Sequence, residues 1–326
     1  MRTWGHAGGL ILVIAIVVVA TATAQRPFER IPVASSHELK IGGSTLQVDF
    51  APGQFDLGDA AILRHVQTAA TAVTAYYGRF PVPRARVLII PVEDRAGVLQ
   101  GTTWGGMGGW PGFTRMRIGQ HTTQAELDDD WMMTHELVHL ALPSLPDDEH
   151  WMEEGLATYV EPLARVMTGN LEAKSVWHDM VRDMPKGEPQ PGDEGLNHTH
   201  TWGRTYWGGA LFCLVADVNI RKETHNSKGL RDALRAIMNA GGIDHDEDLE
   251  QALEAGDRAT GTQVLTGLYA AWKDKPVTVD LDKLWSELGV RSGPDGVQFV
   301  SSAPLAKVRQ AIAGKPAGVT PAAARH

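Results

Sequence analysis

The chain of 326 residues (35.3 kDa) is 43% apolar and 21% charged, which excludes a generally disordered protein. Its length exceeds what one hydrophobic core usually holds, so we expect two lobes, or one lobe with a long extension. The formal net charge of -9 argues against a nucleic-acid-binding protein, since such proteins need a basic patch to neutralise phosphates. The one cysteine, Cys213, cannot form an intramolecular disulfide and is expected to be a buried, inert thiol.

Residues 1–24 have the pattern of a signal peptide. Arg2 and His6 form a basic start, residues 10–20 are apolar without interruption, and A-T-A at residues 22–24 offers the small side chains that signal peptidase needs. This apolar run is shorter than the roughly 20 residues that span a bilayer. We predict an exported protein, periplasmic or extracellular, without a stable membrane span after cleavage. An uncleaved N-terminal anchor is the alternative.

Residues 25–122 are predicted to form an N-terminal α+β lobe. Apolar and polar residues alternate over residues 46–50, which indicates a half-buried strand. Apolar residues recur at intervals of three and four over residues 59–77, which predicts a helix that Pro81 and Pro83 end. Two further strands are expected over residues 87–92 and 113–118.

A glycine-rich segment separates those last two strands. Residues 97–112 contain seven glycines together with Trp104, Met107 and Trp110. Glycine at this density indicates either tight turns and a backbone that another group approaches closely, or a flexible loop.

Residues 123–326 are predicted to form a mainly helical lobe with a C-terminal extension. Thr123 and Glu126 have the spacing of a capping box, and the helix that they begin is expected to continue to residue 142, before Pro143. Six further helices are expected over residues 151–166, 171–184, 206–218, 229–238, 246–253 and 263–272, with a long surface loop over residues 185–201.

The most informative segment is H-E-L-V-H at residues 135–139. Two histidines four residues apart project from one face of a helix, so the imidazoles of His135 and His139 can bind one zinc ion. Glu136 between them is placed to act on a metal-bound water. The alternative is a helix with two surface histidines.

An open zinc site needs a third protein ligand. The sequence W-M-E-E-G-L-A-T-Y-V-E at residues 151–161 offers two adjacent carboxylates on the next predicted helix. Glu154 shares a polar helical stripe with Thr158 and Glu161, whereas the stripe of Glu153 is apolar. The pattern therefore favours Glu154 as the third ligand and leaves Glu153 as the alternative.

Other polar residues near these segments are not assigned a chemical role. Three acids, Asp128, Asp129 and Asp130, are expected to form a solvated face of the helix. Four histidines are expected at the surface or in a solvated loop: His150, His178, His198 and His200.

The two segments together resemble the gluzincin zinc metallopeptidases, especially their aminopeptidase N-like and glycyl-aminopeptidase-like branches. In that family the glutamate directly before glycine, here Glu154, binds zinc. The connection between His139 and Glu154 is 14 residues, fewer than is usual in the aminopeptidase N-like branch. The resemblance implies a zincin-like α+β fold with Zn²⁺ between an N-terminal mixed sheet lobe and a C-terminal mainly helical lobe.

A second segment is similar to the same family. T-Y-W-G-G-A-L at residues 205–211 resembles the Tyr-x-x-Gly segment that opens a helix in these enzymes. The resemblance implies that the Tyr206 hydroxyl stabilises the oxyanion. The alternative for Tyr206 is an ordinary core tyrosine.

These observations predict a zinc-dependent peptidase that acts on a peptide or protein substrate, with Glu136 as general base and acid toward a metal-activated water. Two alternatives remain: a non-catalytic zinc-binding module for partner recognition, and a zinc hydrolase with a non-peptide substrate. Glu136 favours catalysis, because a purely structural zinc site has no use for a free carboxylate beside it.

The glycine-rich segment bears on the substrate. Aminopeptidase N-like enzymes have Gly-x-Met-Glu-Asn there, whose glutamate pairs with the amino terminus of the peptide, whereas this chain has G-G-M-G-G at residues 105–109. The resemblance implies that Gly106 and Met107 bind an extended peptide backbone, and Trp104 and Trp110 are predicted to line subsites. Because glycine replaces the anchoring carboxylate, peptides with blocked amino termini are expected to be cut as well as free ones, unless Glu153, Glu188 or Asp193 replaces it.

Overall fold

The computed structural model describes residues 31–245, 247–293 and 296–314. The predicted signal peptide, residues 1–24, lies outside them and stays a prediction. Within the described ranges, none of the helices combines the length and the apolar character needed to cross a membrane.

A five-stranded mixed sheet forms the N-terminal part of the fold. Its strands are β1 (Ser35–Ile41), β2 (Ser44–Phe50), β3 (Arg84–Val92), β4 (Val98–Met107) and β5 (Trp110–Gly119). They lie in the order β1-β2-β3-β5-β4, with β2, β3 and β5 parallel and with β1 and β4 antiparallel to their neighbours at the two edges. The predicted strands are present, whereas β1 was not predicted because its mostly exposed residues carry no apolar alternation.

Helix α1 (Asp59–Tyr77) has the predicted bounds. Its apolar face is buried in the core against the sheet and later helices. Pro81 and Pro83 were expected to end the helix, but it ends before them. Gly78 adopts a left-handed conformation (φ 85°) there, and its N–H bonds to the Thr74 carbonyl.

The glycine-rich segment is not a flexible loop. It forms β4 and the hairpin turn into β5, and Gly106, Gly108 and Gly109 in and beside the turn have positive φ of 60°, 59° and 78°. A side chain at Gly101 would overlap Glu136, so this strand is also a backbone that another group approaches closely. The first of the two sequence interpretations is therefore confirmed.

The helix expected over residues 123–142 is interrupted. Helix α2 (Gln124–Asp129) begins with the predicted capping box of Thr123 and Glu126, but α3 (Met132–Val138) begins anew and a 3₁₀ turn, His139–Ala141, follows it. Asp130 causes the break, because its carboxylate accepts the N–H groups of Met132 and Met133. Asp130 also pairs with His65 at 2.9 Å and is almost fully buried, so its prediction as a solvated residue is wrong.

Helices make up most of the remaining chain. They are α4 (His150–Thr168), α5 (Ala173–Asp183), α6 (Gly209–Glu223), α7 (Leu230–Ala240), α8 (Leu249–Thr260), α9 (Val264–Trp272), α10 (Leu281–Leu288) and α11 (Ala306–Ile312), with a hairpin of β6 (Val290–Gly293) and β7 (Gly296–Phe299) before α11. The hairpin, α10 and α11 were not predicted. One apolar cluster connects the sheet with these helices and contains Cys213, which is buried as expected. The predicted α+β fold is confirmed, while the division at residue 122 stays a prediction.

Candidate metal centre

Helix α3 and the 3₁₀ turn that follows it present His135 and His139 toward the same side. Its opposite side packs into the core through Met133, Leu137 and Val138, which are fully buried. The two imidazole rings lie 4.9 Å apart, almost perpendicular to each other. Packing on the apolar side of the helix thus turns both rings toward the opposite side.

Glu154, in the second turn of α4, completes a group of three possible ligands. Its Oε2 atom lies 3.0 Å from Nε2 of His135 and 3.7 Å from Nε2 of His139. One ligand atom of each residue lies within 4.8 Å of the others. Glu153, the alternative, points elsewhere: its Oε1 atom accepts the N–H of Leu145. The structure thus brings together the three side chains that the sequence favoured.

Charge in this group suits a divalent metal. Burial lowers the pKa of His139 to about 4, and neighbouring His135 adds to the effect, so the imidazole of His139 is neutral and has a free lone pair. Burial alone would raise the pKa of Glu154, but hydrogen bonds from His135 and His150 outweigh burial and lower it, so the carboxylate stays ionised. Two imidazoles and one carboxylate are a donor set of catalytic zinc sites.

Glu136 lies on the neighbouring side of α3, between the metal group and β4. The Thr103 hydroxyl lies 2.8 Å from its Oε2 atom, and Gly101 leaves the space that its side chain occupies. Burial raises the pKa of Glu136 to about 7, against the opposing effects of His135 and of the Thr103 hydrogen bond. A carboxyl group with a pKa near neutrality can accept a proton and release it again.

Tyr206 lies beside the group in a π-helical turn, Gly203–Gly208, that leads into α6. Its ring stacks on His135 with centroids 6.3 Å apart, and its hydroxyl is close enough to Glu154 to feel the charge of that carboxylate. Burial, assisted by the charge of Glu154, raises the pKa of Tyr206 to about 12, so the phenol stays protonated and can donate. Tyr206 thus lies beside the three candidate ligands, and its role as an oxyanion donor stays a prediction.

Two glycines explain how Tyr206 reaches Glu154. Gly155 of α4 packs directly on Gly209, the first residue of α6, and a methyl group on either would overlap the backbone of the other helix. These glycines are the ones that follow Glu154 and Tyr206 in the two motifs. The close helix contact thus sets the tyrosine against the candidate ligand.

No family model and no curated protein matches the chain. Solved structures do match it: an aminopeptidase N family protein from Idiomarina loihiensis has a TM-score of 0.56 at 13% identity, over 83% of this chain and 53% of that chain. A two-domain M1 zinc metallopeptidase variant bound to L-arginine has a TM-score of 0.50 at 15% identity, over 76% of this chain and 52% of that chain. The fold is that of the M1 zinc metallopeptidases. The chain spans about half the length of these proteins, and the expected zincin-like fold is confirmed.

In this M1-type fold, the residues predicted to bind substrate lie around the β4–β5 hairpin. Gly106 is exposed and Met107 is buried at the end of β4, which is the outer strand of the sheet. Trp104 follows Thr103 and therefore points to the opposite face of β4 from Glu136, where it stacks on Phe113 at 5.8 Å. The position of Trp104 does not support its predicted role in a subsite.

Trp110 lies at the first position of β5, directly after the hairpin turn. The Arg84 guanidinium group covers its ring at 5.1 Å from the centroid. A cation over the ring face occupies the surface that a substrate side chain would use.

A cavity of about 460 Å³ opens beside His135 and Tyr206. Trp131, Trp202 and Trp207 line it together with apolar side chains of α5, and it was not predicted. A sequence signal was present, because Trp131 precedes His135 by four residues and Trp202 precedes Tyr206 by four, so each tryptophan shares a helical face with a site residue.

The structure corrects one histidine prediction and supports others. His150 is exposed, as expected for a surface residue, yet its Nε2 atom lies 3.3 Å from Oε1 of Glu154, so it belongs to the site. The bonds to Glu153 and Glu154 raise the pKa of His150 to about 10. His178 is exposed on α5, and His198 pairs with Asp274 at 3.0 Å.

Proposed function

We propose that this chain carries the catalytic site of a zinc-dependent peptidase. The observation that supports the proposal is the convergence of His135, His139 and Glu154 with a separate carboxylate, Glu136, beside them. A purely structural zinc site would have no use for that buried fourth group. Because the matched proteins share only the fold with this chain, and the match covers about half of each of them, its activity and substrate are proposals.

Each side chain has a defined task. Zinc held by the two imidazoles and Glu154 would polarise the scissile carbonyl and acidify a water molecule. Glu136 accepts the proton of the attacking water and delivers it to the leaving amine, a task that its raised pKa favours. Tyr206, protonated at neutral pH, donates a hydrogen bond to the carbonyl oxygen as negative charge develops there.

We propose that the substrate is a stretch of peptide lying along the outer edge of β4, with one large apolar side chain in the tryptophan-lined cavity. Gly106 and Met107 would contact its backbone. The acids considered as anchors for a free amino terminus have other partners: Glu153 bonds to Leu145, Glu188 accepts the N–H of Val279, and Asp193 accepts that of Gln190. We therefore expect that cleavage does not require a free amino terminus.

One experiment tests these points together. Purified protein is analysed for metal and incubated with a peptide library in free and N-acetylated form. We expect one zinc per chain and equal cleavage of both forms. The Glu136→Gln variant should keep its zinc and lose roughly 10²–10⁴-fold in kcat.

Two outcomes would contradict the proposal. Unchanged cleavage by the Glu136→Gln variant would remove the mechanism. Strict dependence on a free amino terminus would reject the internal mode of cleavage and indicate an anchoring acid elsewhere.

A further inference from the structure

The two carboxylate oxygens of Glu154 have different partners. Oε2 faces the histidines of α3, at 3.0 Å from Nε2 of His135. Oε1 faces the other way, at 3.3 Å from Nε2 of His150, which lies one helical turn earlier on α4. The imidazole of His150 therefore contacts Oε1 of Glu154, the carboxylate oxygen that does not face His135 and His139.

His150 is itself held by a second carboxylate. Its Nδ1 atom lies 2.9 Å from Oε2 of Glu153, and Oε1 of Glu153 accepts the N–H of Leu145 at 3.1 Å. Leu145 belongs to the connection between the 3₁₀ turn and α4. An unbroken series of contacts thus links the backbone of this connection, through Glu153 and His150, to Glu154.

We propose that His150, held by Glu153, is a positioning residue that fixes the orientation of Glu154 as a zinc ligand. This inference rests on the proposed zinc site. A carboxylate can rotate about its side-chain bonds and bind a metal through either oxygen or both. The contact of the His150 imidazole with Oε1 favours binding of Glu154 through Oε2, the atom that faces His135 and His139. Groups that orient a ligand in this way affect metal affinity without touching the metal.

The assignment accounts for both acids of the adjacent pair. Glu154 faces the metal group, whereas Glu153 orients the histidine that orients Glu154. Glu153 is 22% exposed in its side chain and His150 is 50% exposed, so an isolated ion pair between them would contribute little to folding. The pair of His150 and Glu153 acts instead through the contact of His150 with Glu154, whose side chain is only 12% exposed.

The test measures zinc affinity by competition with a chelator, together with kcat and KM, for the wild type and for His150→Ala, His150→Gln, Glu153→Ala and the double alanine variant. We expect His150→Ala to weaken zinc binding roughly 10- to 100-fold. Glutamine carries an N–H donor, so His150→Gln should recover most of the affinity. The double variant should be no weaker than His150→Ala alone, because Glu153 acts through His150.

A matched control is His121→Ala, which removes another exposed imidazole bonded to a carboxylate, Asp56 at 2.8 Å. It should leave zinc affinity unchanged. Cobalt substitution adds a spectroscopic readout: the visible spectrum of His150→Gln should match that of the wild type, since His150 is not a ligand in the proposal.

The outcomes separate the two proposals. A wild type that binds no zinc refutes the proposed function. A wild type that binds zinc, with unchanged affinity and kcat in His150→Ala, refutes the positioning role alone. An affinity of His150→Gln no higher than that of His150→Ala would show that the N–H group of His150 does not orient Glu154, and would also overturn the inference.

Discussion

Thr103 illustrates how one hydroxyl group can hold a general base. Its Oγ1 atom lies 2.8 Å from the carboxylate and 2.9 Å from the main-chain carbonyl of Glu136, and Thr114 lies 3.0 Å away on the neighbouring strand. Glu136 is thereby fixed to the sheet at one carboxylate oxygen.

The first prediction follows from this contact. Thr103→Val keeps the shape of the side chain and removes the hydroxyl, so Glu136 loses its anchor to β4. We expect kcat to fall about 10-fold or more, since hydrogen bonds to charged groups contribute about 1.5–3 kcal/mol, while KM and zinc content stay nearly constant. Steady-state kinetics measures the effect. Thr103→Ser is the control that should retain activity, and equal rates in both variants would contradict the assigned contact.

At the scale of elements, the contact between α4 and α6 determines whether the site exists at all. Gly155 and Gly209 allow the two helices to approach until their backbones touch, and the π-helical turn before α6 then carries Tyr206 to Glu154. The candidate ligand Glu154 and the proposed oxyanion donor Tyr206 are on different helical segments, so their relative position depends on this packing.

The second prediction concerns that contact. Gly155→Ala adds a methyl group that overlaps the backbone of Gly209, which should destabilise the fold by about 1–3 kcal/mol and move Tyr206 away from the metal group. Thermal unfolding and kcat report the two effects. Gly267→Ala is the control, because this glycine of α9 faces open space and alanine favours helices. Equal melting temperatures for the two variants would show that the helices tolerate separation.

For the whole molecule, resistance to acid depends on buried carboxylates such as Asp49 of β2. Its side chain bonds to Ser36 of β1, to Gln47 and to Arg86 of β3, which joins three strands. Burial would raise the pKa of Asp49, but these hydrogen bonds and the charge of Arg86 lower it below the usual value. The folded state thus stabilises the ionised carboxylate of Asp49 more than the unfolded state does.

The third prediction is the resulting pH dependence. A carboxyl with a lowered folded-state pKa adds stability above its unfolded pKa of roughly 3.9, and this stability is lost as the pH falls through the folded value. Asp49→Asn should therefore cost about 1–3 kcal/mol at pH 7 and flatten the acid limb of the stability profile. Denaturant titrations between pH 2 and 7 measure it. An equal cost at the lowest pH would show that charge is not responsible.

Sequence patterns predicted α1 and the ligand-bearing segments because their signals are local. The apolar period of α1 lies within one helix, and His135 and His139 lie on α3 and on the 3₁₀ turn directly after it. The sequence pattern of strand β4 was ambiguous, since its glycines have no side chains that could alternate between apolar and polar. Glycine is needed at residues 101 and 105 because Glu136 and the backbone at Ile243 occupy the space that a side chain would fill. The cavity was not predicted either. Its lining comes from α3, α4, α5 and the turn before α6, and the pattern of any one segment does not show how these elements come together.

The interruption at Asp130 has an energetic consequence for metal binding. It leaves α3 with seven residues, too few to be stable as an isolated helix, and His139 lies beyond its end in a 3₁₀ turn. Zinc at the three ligands would tie this short helix to α4 across the connection that contains Leu145. Part of the binding free energy would then be conformational entropy given up by that connection. The measured affinity for zinc would accordingly report how ordered this segment is without metal, as well as the strength of the three bonds.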